Sequence, residues 1–157
     1  MRSPRSLLVL LATLVPMVLL APRARAASCS FQTVTSVAFG AYDVFTATPL
    51  DSTATIAYSC TPSVTSPRIF LSMGGGGSFN PRRLTGPLGT LATYNLYLDS
   101  ARTTIWGDGS GGTSFITGPD PSSNSQVFTY TIYARVFAGQ DLIAGAYSDT
   151  ITVTINY

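Results

Sequence analysis

The sequence predicts an all-β protein, a Greek-key sandwich closed by one disulfide. Three observations predict it. No amphipathic helix of useful length can be drawn anywhere after the first 26 residues. Short apolar or alternating runs are instead separated by Gly, Pro, Ser and Asn clusters, the rhythm of a sandwich. The final nine residues, Asp149–Tyr157 (DTITVTINY), alternate strictly, with Ile151, Val153, Ile155 and Tyr157 on one face and Thr150, Thr152, Thr154 and Asn156 on the other. Nine extended residues span roughly 30 Å, and such an edge needs a partner.

The first 26 residues are set apart from this pattern. Arg2 and Arg5 precede an apolar run, Leu7–Leu20, and Ala24-Arg25-Ala26 is a small-x-small cleavage site. These are the parts of a secretory signal peptide, with cleavage expected after Ala26, or alternatively after Ala27. A lipoprotein reading would need Cys29 to be acylated, but Ala26 stands where a Leu is usual. The mature domain is therefore expected to span residues 27–157. Arg2, Arg5, Arg23 and Arg25 leave with the signal, so five Arg face seven Asp, a net charge of −2. Five scattered Arg form no basic patch for nucleic acid. Cys29 and Cys60 both remain, and an even pair in an exported chain reads as a disulfide. It encloses 30 residues, and chain entropy assigns such a loop about 3–4 kcal/mol.

The strands follow in order. Phe31, Val37 and Phe39 share one parity in a first strand ending at Gly40. Ile56, Tyr58 and Cys60 share a face in the second. Arg68–Met73 is the third, with Ile69, Leu71 and Met73 inward. Gly74–Gly77 can only be a loop or a wide hairpin. Thr93–Leu98 is a fourth strand and Thr103–Trp106 a short fifth; the Gly-rich turn Gly107–Gly112 follows. Ser114–Thr117 is a sixth candidate, Val127–Phe137 a long seventh, and Tyr147–Tyr157 the last. The disulfide would tie the start of the first strand to the end of the second.

The residue inventory argues against catalysis and against a cofactor. The chain has no His, Lys or Glu, so neither a Ser-His-Asp nor a Cys-His set can form, and no His-based metal site. Its Asp residues stand singly at loops and strand ends, where Asp usually serves turns. Asp108-Gly109-Ser110-Gly111-Gly112 lacks the acidic ladder and closing Glu of a calcium loop and reads as a turn. Arg82-Arg83 reads as solvated strand-edge charge, with a surface anion contact as the alternative. Tyr94, Tyr97, Trp106, Tyr130 and Tyr133 sit at core-like spacing, with sugar stacking the other reading.

Several segments together resemble a known family. They are Cys29 with Val37-Ala38-Phe39-Gly40-Ala41-Tyr42, Ile56-Ala57-Tyr58-Ser59-Cys60, Arg82-Arg83-Leu84 and Tyr94-Asn95-Leu96-Tyr97. The run from Asp99 to Gly109 and the run Ala144-Gly145-Ala146-Tyr147-Ser148-Asp149-Thr150 complete the set. Their order and spacing resemble the spore coat protein U domain, shared with the archaic chaperone–usher pilins. The resemblance implies an incomplete immunoglobulin-like sandwich that lacks its last strand. Its partners would be a periplasmic chaperone that lends a strand, an outer-membrane usher, and a neighbouring pilin subunit whose N-terminal extension replaces the chaperone. This is β-augmentation. The C-terminal carboxylate, here on Tyr157, would be anchored by basic groups of the chaperone.

On that basis Ile151, Val153, Ile155 and Tyr157 are expected to border the acceptor groove, with Phe31, Val37 and Phe39 on its other wall. Cleavage after Ala26 leaves Ala27 and Ser28 ahead of Cys29, about 7 Å of chain. That is too little to fill a neighbour's groove, so the subunit is expected to accept a strand and not to donate one, as a tip or terminal subunit would. It would be exported to the periplasm and then to the cell surface, acting in adhesion or biofilm. Two alternatives stand beside this reading: a spore-coat or extracellular-matrix protein with a self-complete sandwich, and a carbohydrate-binding module using Tyr and Trp on the Gly-rich loops.

Overall fold

A computed structural model describes residues 26–124 and 126–157. The expected signal peptide lies outside the described residues, apart from its last position, Ala26. Among the described residues eight strands form two antiparallel sheets. Those of the larger sheet are β1 (Cys29–Val34), β2 (Leu50–Cys60), β4 (Arg82–Thr85), β5 (Leu91–Tyr97) and β7 (Val127–Val136), in the order β1-β2-β7-β5-β4. The smaller sheet contains β3 (Arg68–Leu71), β6 (Ile116–Thr117) and β8 (Val153–Asn156), in the order β6-β3-β8.

The long β2–β7 pair is the spine of the molecule. It runs unbroken from Leu50↔Val136 to Ser59↔Val127. Period-two alternation sends Ala54, Ile56, Tyr58 and Cys60 inward from β2, and Ile132, Ala134 and Val136 inward from β7. Ile69 and Leu71 meet them from the smaller sheet, and Trp106 is wholly buried with its indole N–H donating to the Ile69 carbonyl at 3.1 Å. Each of the buried Ile, Leu and Val side chains contributes about 1.5–3 kcal/mol by leaving water. The disulfide joins Cys29 to Cys60, tying the start of β1 to the end of β2.

Several expectations about single elements are corrected. The first strand ends at Val34, not at Gly40, and a register shift between Phe31 and Thr33 breaks its parity. Such a bulge inserts one residue and turns the following side chains over, so Val34 rather than Thr33 pairs opposite the inward Ile56. β3 stops at Leu71, and Met73 is exposed at the mouth of the glycine loop. Thr103–Trp106 forms only isolated bridges, Tyr97↔Ile105 and Trp106↔Ser114. The last strand is four residues, Val153–Asn156; upstream of it only Ser148 bridges, to Thr85 in the other sheet.

Arg82 overturns its reading as solvated charge. It opens β4 and is fully buried. Its guanidinium donates to the Ser72 carbonyl at 2.9 and 3.1 Å, to the Trp106 carbonyl at 2.7 Å and to Asn95 Oδ1 at 2.9 Å. It also lies over the Phe79 ring, 5.2 Å from the centroid. Removal from water is the main influence on this group and lowers its pKa.

Candidate functional site

The two sheets do not close on each other along their whole length. Between them runs a cleft of about 900 Å³. Its floor is apolar, built from Leu71, Leu84, Leu96, Ile132 and Val136. One wall is Val34, the last residue of β1, with the irregular segment that follows it to Tyr42 and on to Val44; the other is the segment Leu142–Asp149 together with Ile151 and Val153.

Both walls carry backbone that has no ladder partner. β8 pairs with β3 on one side, from Arg68↔Asn156 to Leu71↔Val153. Among the described residues no strand pairs with its other edge. Opposite it, the backbone of residues 36–42 makes no hydrogen bond to another backbone group among those described; Ala38 O is met by the Ser52 hydroxyl at 2.6 Å. Unpaired N–H and C=O groups beside an apolar trough are the template on which an added strand forms.

At one end the wall is pinned by a carboxylate. Asp149 accepts from the Gly75 amide at 2.7 Å, from its neighbour Thr150 at 2.7 Å and from the Tyr94 hydroxyl at 2.6 Å. These bonds join the larger sheet, the glycine loop and the approach to β8. Gly74, at φ +76°, lies so close that any Cβ would strike the Asp149 carboxylate. Tyr94 is buried, and burial with the hydrogen bond to Asp149 raises its pKa.

Of the seven residues expected around a groove, four line this cleft: Val37, Phe39, Ile151 and Val153. Phe31, Ile155 and Tyr157 do not. Phe31 pairs with Tyr58 ahead of the bulge, at the outer edge of the sheet, and is 37% exposed; Tyr157 is 59% exposed beyond the end of β8. Ile155 pairs with the buried Ile69, which does not line the cleft either. The residues that sequence reasoning missed are the floor, Val34, Tyr42, Val44 and the wall from Leu142 to Asp149. The inward parity of Ile132, Ala134 and Val136 was visible in the sequence, but parity alone does not say which inward positions the second sheet leaves uncovered.

Of the five aromatic residues with sugar stacking as their other reading, Trp106, Tyr94 and Tyr97 are buried in the core, and Tyr130 and Tyr133 are half-buried. Asp108 makes a turn, accepting from the Ser110 amide at 2.8 Å and the Ser110 hydroxyl at 2.6 Å.

The sandwich, its single disulfide and its open side define a class of β-protein whose core is exposed along one cleft. The chain belongs to the Spore Coat Protein U domain family, whose sequence profile matches residues 16–154. No curated protein matches the chain. A similar solved structure is a chain of the CsuC–CsuE chaperone–tip adhesion subunit pre-assembly complex, from the archaic chaperone–usher Csu pili of Acinetobacter baumannii. The similarity has a TM-score of 0.57 at 19% identity and covers 84% of this chain. It spans only 40% of the other chain, and what the two share is the fold.

Proposed function

We propose that the protein is a structural subunit of a chaperone–usher surface fibre, completed by a strand from another polypeptide. The observation that carries this reading is the apolar cleft flanked by two unpaired backbone edges, β8 on one side and residues 36–42 on the other. One extended segment laid in the cleft would hydrogen-bond along β8 and place alternate side chains over Leu71, Ile132 and Val136. Family membership supports the reading, as does the fold shared with a chain of a chaperone–subunit complex.

In this reading residues 1–26 direct export and residues 27–157 form the domain. A periplasmic chaperone fills the cleft first, an outer-membrane usher passes the subunit to the surface, and a neighbouring subunit's extension takes the chaperone's place. With Ala27 and Ser28 alone ahead of Cys29, the subunit accepts a strand and offers none, which suits a tip or terminal position. Its role is assembly and adhesion rather than catalysis.

Expression in a bacterial periplasm with and without the chaperone encoded alongside tests this. Co-purification with the chaperone, and a rise in melting temperature on adding a peptide copied from a neighbouring subunit's N-terminal extension, are expected. A stable monomer made without chaperone, whose melting temperature the peptide leaves unchanged, would establish a self-complete sandwich instead.

A further inference from the structure

One pole of the sandwich carries large apolar side chains on loops that are held firmly together. The pairs Leu50↔Val136, Tyr94↔Val136 and Thr85↔Leu91 bring the start of β2, the end of β7 and the β4–β5 turn to the same end. Three loops emerge there, residues 41–49, 86–90 and 137–147. Phe45 is 95% exposed at the tip of the first and Leu88 is 98% exposed at the tip of the second; Ile143 is exposed on the third.

Isolated exposed apolar residues need no explanation. These differ in being presented. The Phe45 amide donates to Asp43 Oδ1 at 2.9 Å, an Asx turn that holds the tip in shape. Leu88 is held at φ +54°, a left-handed conformation disfavoured for leucine. The loops are also stitched to one another. Tyr42 donates to the Phe137 carbonyl and accepts from the Gln140 amide, Gln140 bonds both backbone groups of Thr93, and the Tyr147 and Thr90 hydroxyls are 2.9 Å apart.

We infer that this pole is the surface on which the folded body of the strand-donating neighbouring subunit, rather than that of the chaperone, docks through an apolar patch of its own. The inference rests on the strand-complementation reading. Its argument is continuity: Tyr42, Val44, Leu142 and Tyr147 belong to these loops and also line the cleft. The lining does not extend to Phe31, Tyr58 or Ile155 toward the other end, so a strand laid in the cleft leaves it here and brings its parent body onto Phe45, Leu88 and Ile143. The strand supplies main-chain bonds, and the pole supplies buried apolar contact that a free peptide lacks.

The experiment compares two probes, a neighbouring subunit's N-terminal extension as a synthetic peptide and that subunit whole. Each is titrated against the wild-type protein and against a Phe45→Ser/Leu88→Asn variant. Asn tolerates positive φ, and both sites are at exposed tips, so the cleft stays intact. The expected result is peptide affinity unchanged between the two proteins, with affinity for the whole subunit weakened about tenfold in the variant. Equal affinity of both proteins for the whole subunit, with the peptide still bound, would overturn the docking surface and leave strand complementation standing. Loss of adsorption to polystyrene beads in the variant, with subunit affinity unchanged, would overturn it in favour of a free contact with apolar surfaces. Failure of the wild-type protein to bind either probe would reject strand complementation and this inference together.

Discussion

At the scale of single residues, Arg82 is the most consequential. A guanidinium with no exposed surface is costly unless its donors are met. Here they are met by two carbonyls and one amide oxygen, with Phe79 beneath the plane. The residue thereby joins β4 and β5 to the end of β3 and to the Trp106 turn. Lysine has one nitrogen and no planar fork. Arg82→Lys is expected to destabilise the fold by about 3 kcal/mol, measured by urea unfolding; Arg83→Lys, on the neighbouring half-buried side chain, serves as the mild comparison. In the sequence the two arginines are indistinguishable. Which of them turns inward is decided by the pairing of Arg82 with Tyr94 across the β4–β5 ladder.

At the scale of elements, β8 is short but decisive, because one of its edges is paired and the other is free. Its alternation was readable, since a period of two follows from the backbone pleat. Its length was not. Thr150 and Thr152 continue the pattern on paper, but Ser148 bridges to Thr85 of the opposite sheet, so the chain is crossing between layers there. The first strand was misjudged for a related reason, since its bulge leaves no mark in the order of apolar residues. Val153 lines the cleft while Thr154 faces away from it. Val153→Asp places a carboxylate in the apolar trough and is expected to weaken donor-peptide binding about a hundredfold. Thr154→Asp should leave it within about threefold. Fluorescence titration of one labelled peptide against both variants makes the comparison.

At the scale of the whole molecule, stability should respond to alkali more than its few charges suggest. Burial raises the pKa of Tyr58 above the ordinary 10.0, with Tyr130 adding to the effect, and burial with the Asp149 bond raises that of Tyr94. A group whose pKa is raised on folding stabilises fully below its unfolded value, and that stabilisation is lost as the pH climbs toward the folded value. The melting temperature is therefore expected to hold between about pH 7 and 9 and to fall above about pH 10. Tyr94→Phe removes one titrating group, so its decline with pH should be shallower, whatever its starting stability. Thermal melts by circular dichroism across that range provide the check.

The all-β class, the disulfide and the family were all contained in the sequence. Strand alternation, turn composition, an even cysteine count and the order of short motifs are local properties that survive without coordinates. The exclusion of His-based chemistry was contained there too, because it depends only on which residues are present. Tertiary structure alone decided where the core is left open. An inward-facing residue becomes floor or core according to whether another strand covers it, and that depends on the relative placement of sheets built from segments far apart in the chain. The same holds for Arg82, Val34 and the loop tips at the pole: their neighbours are distant in sequence, and only packing brings them together.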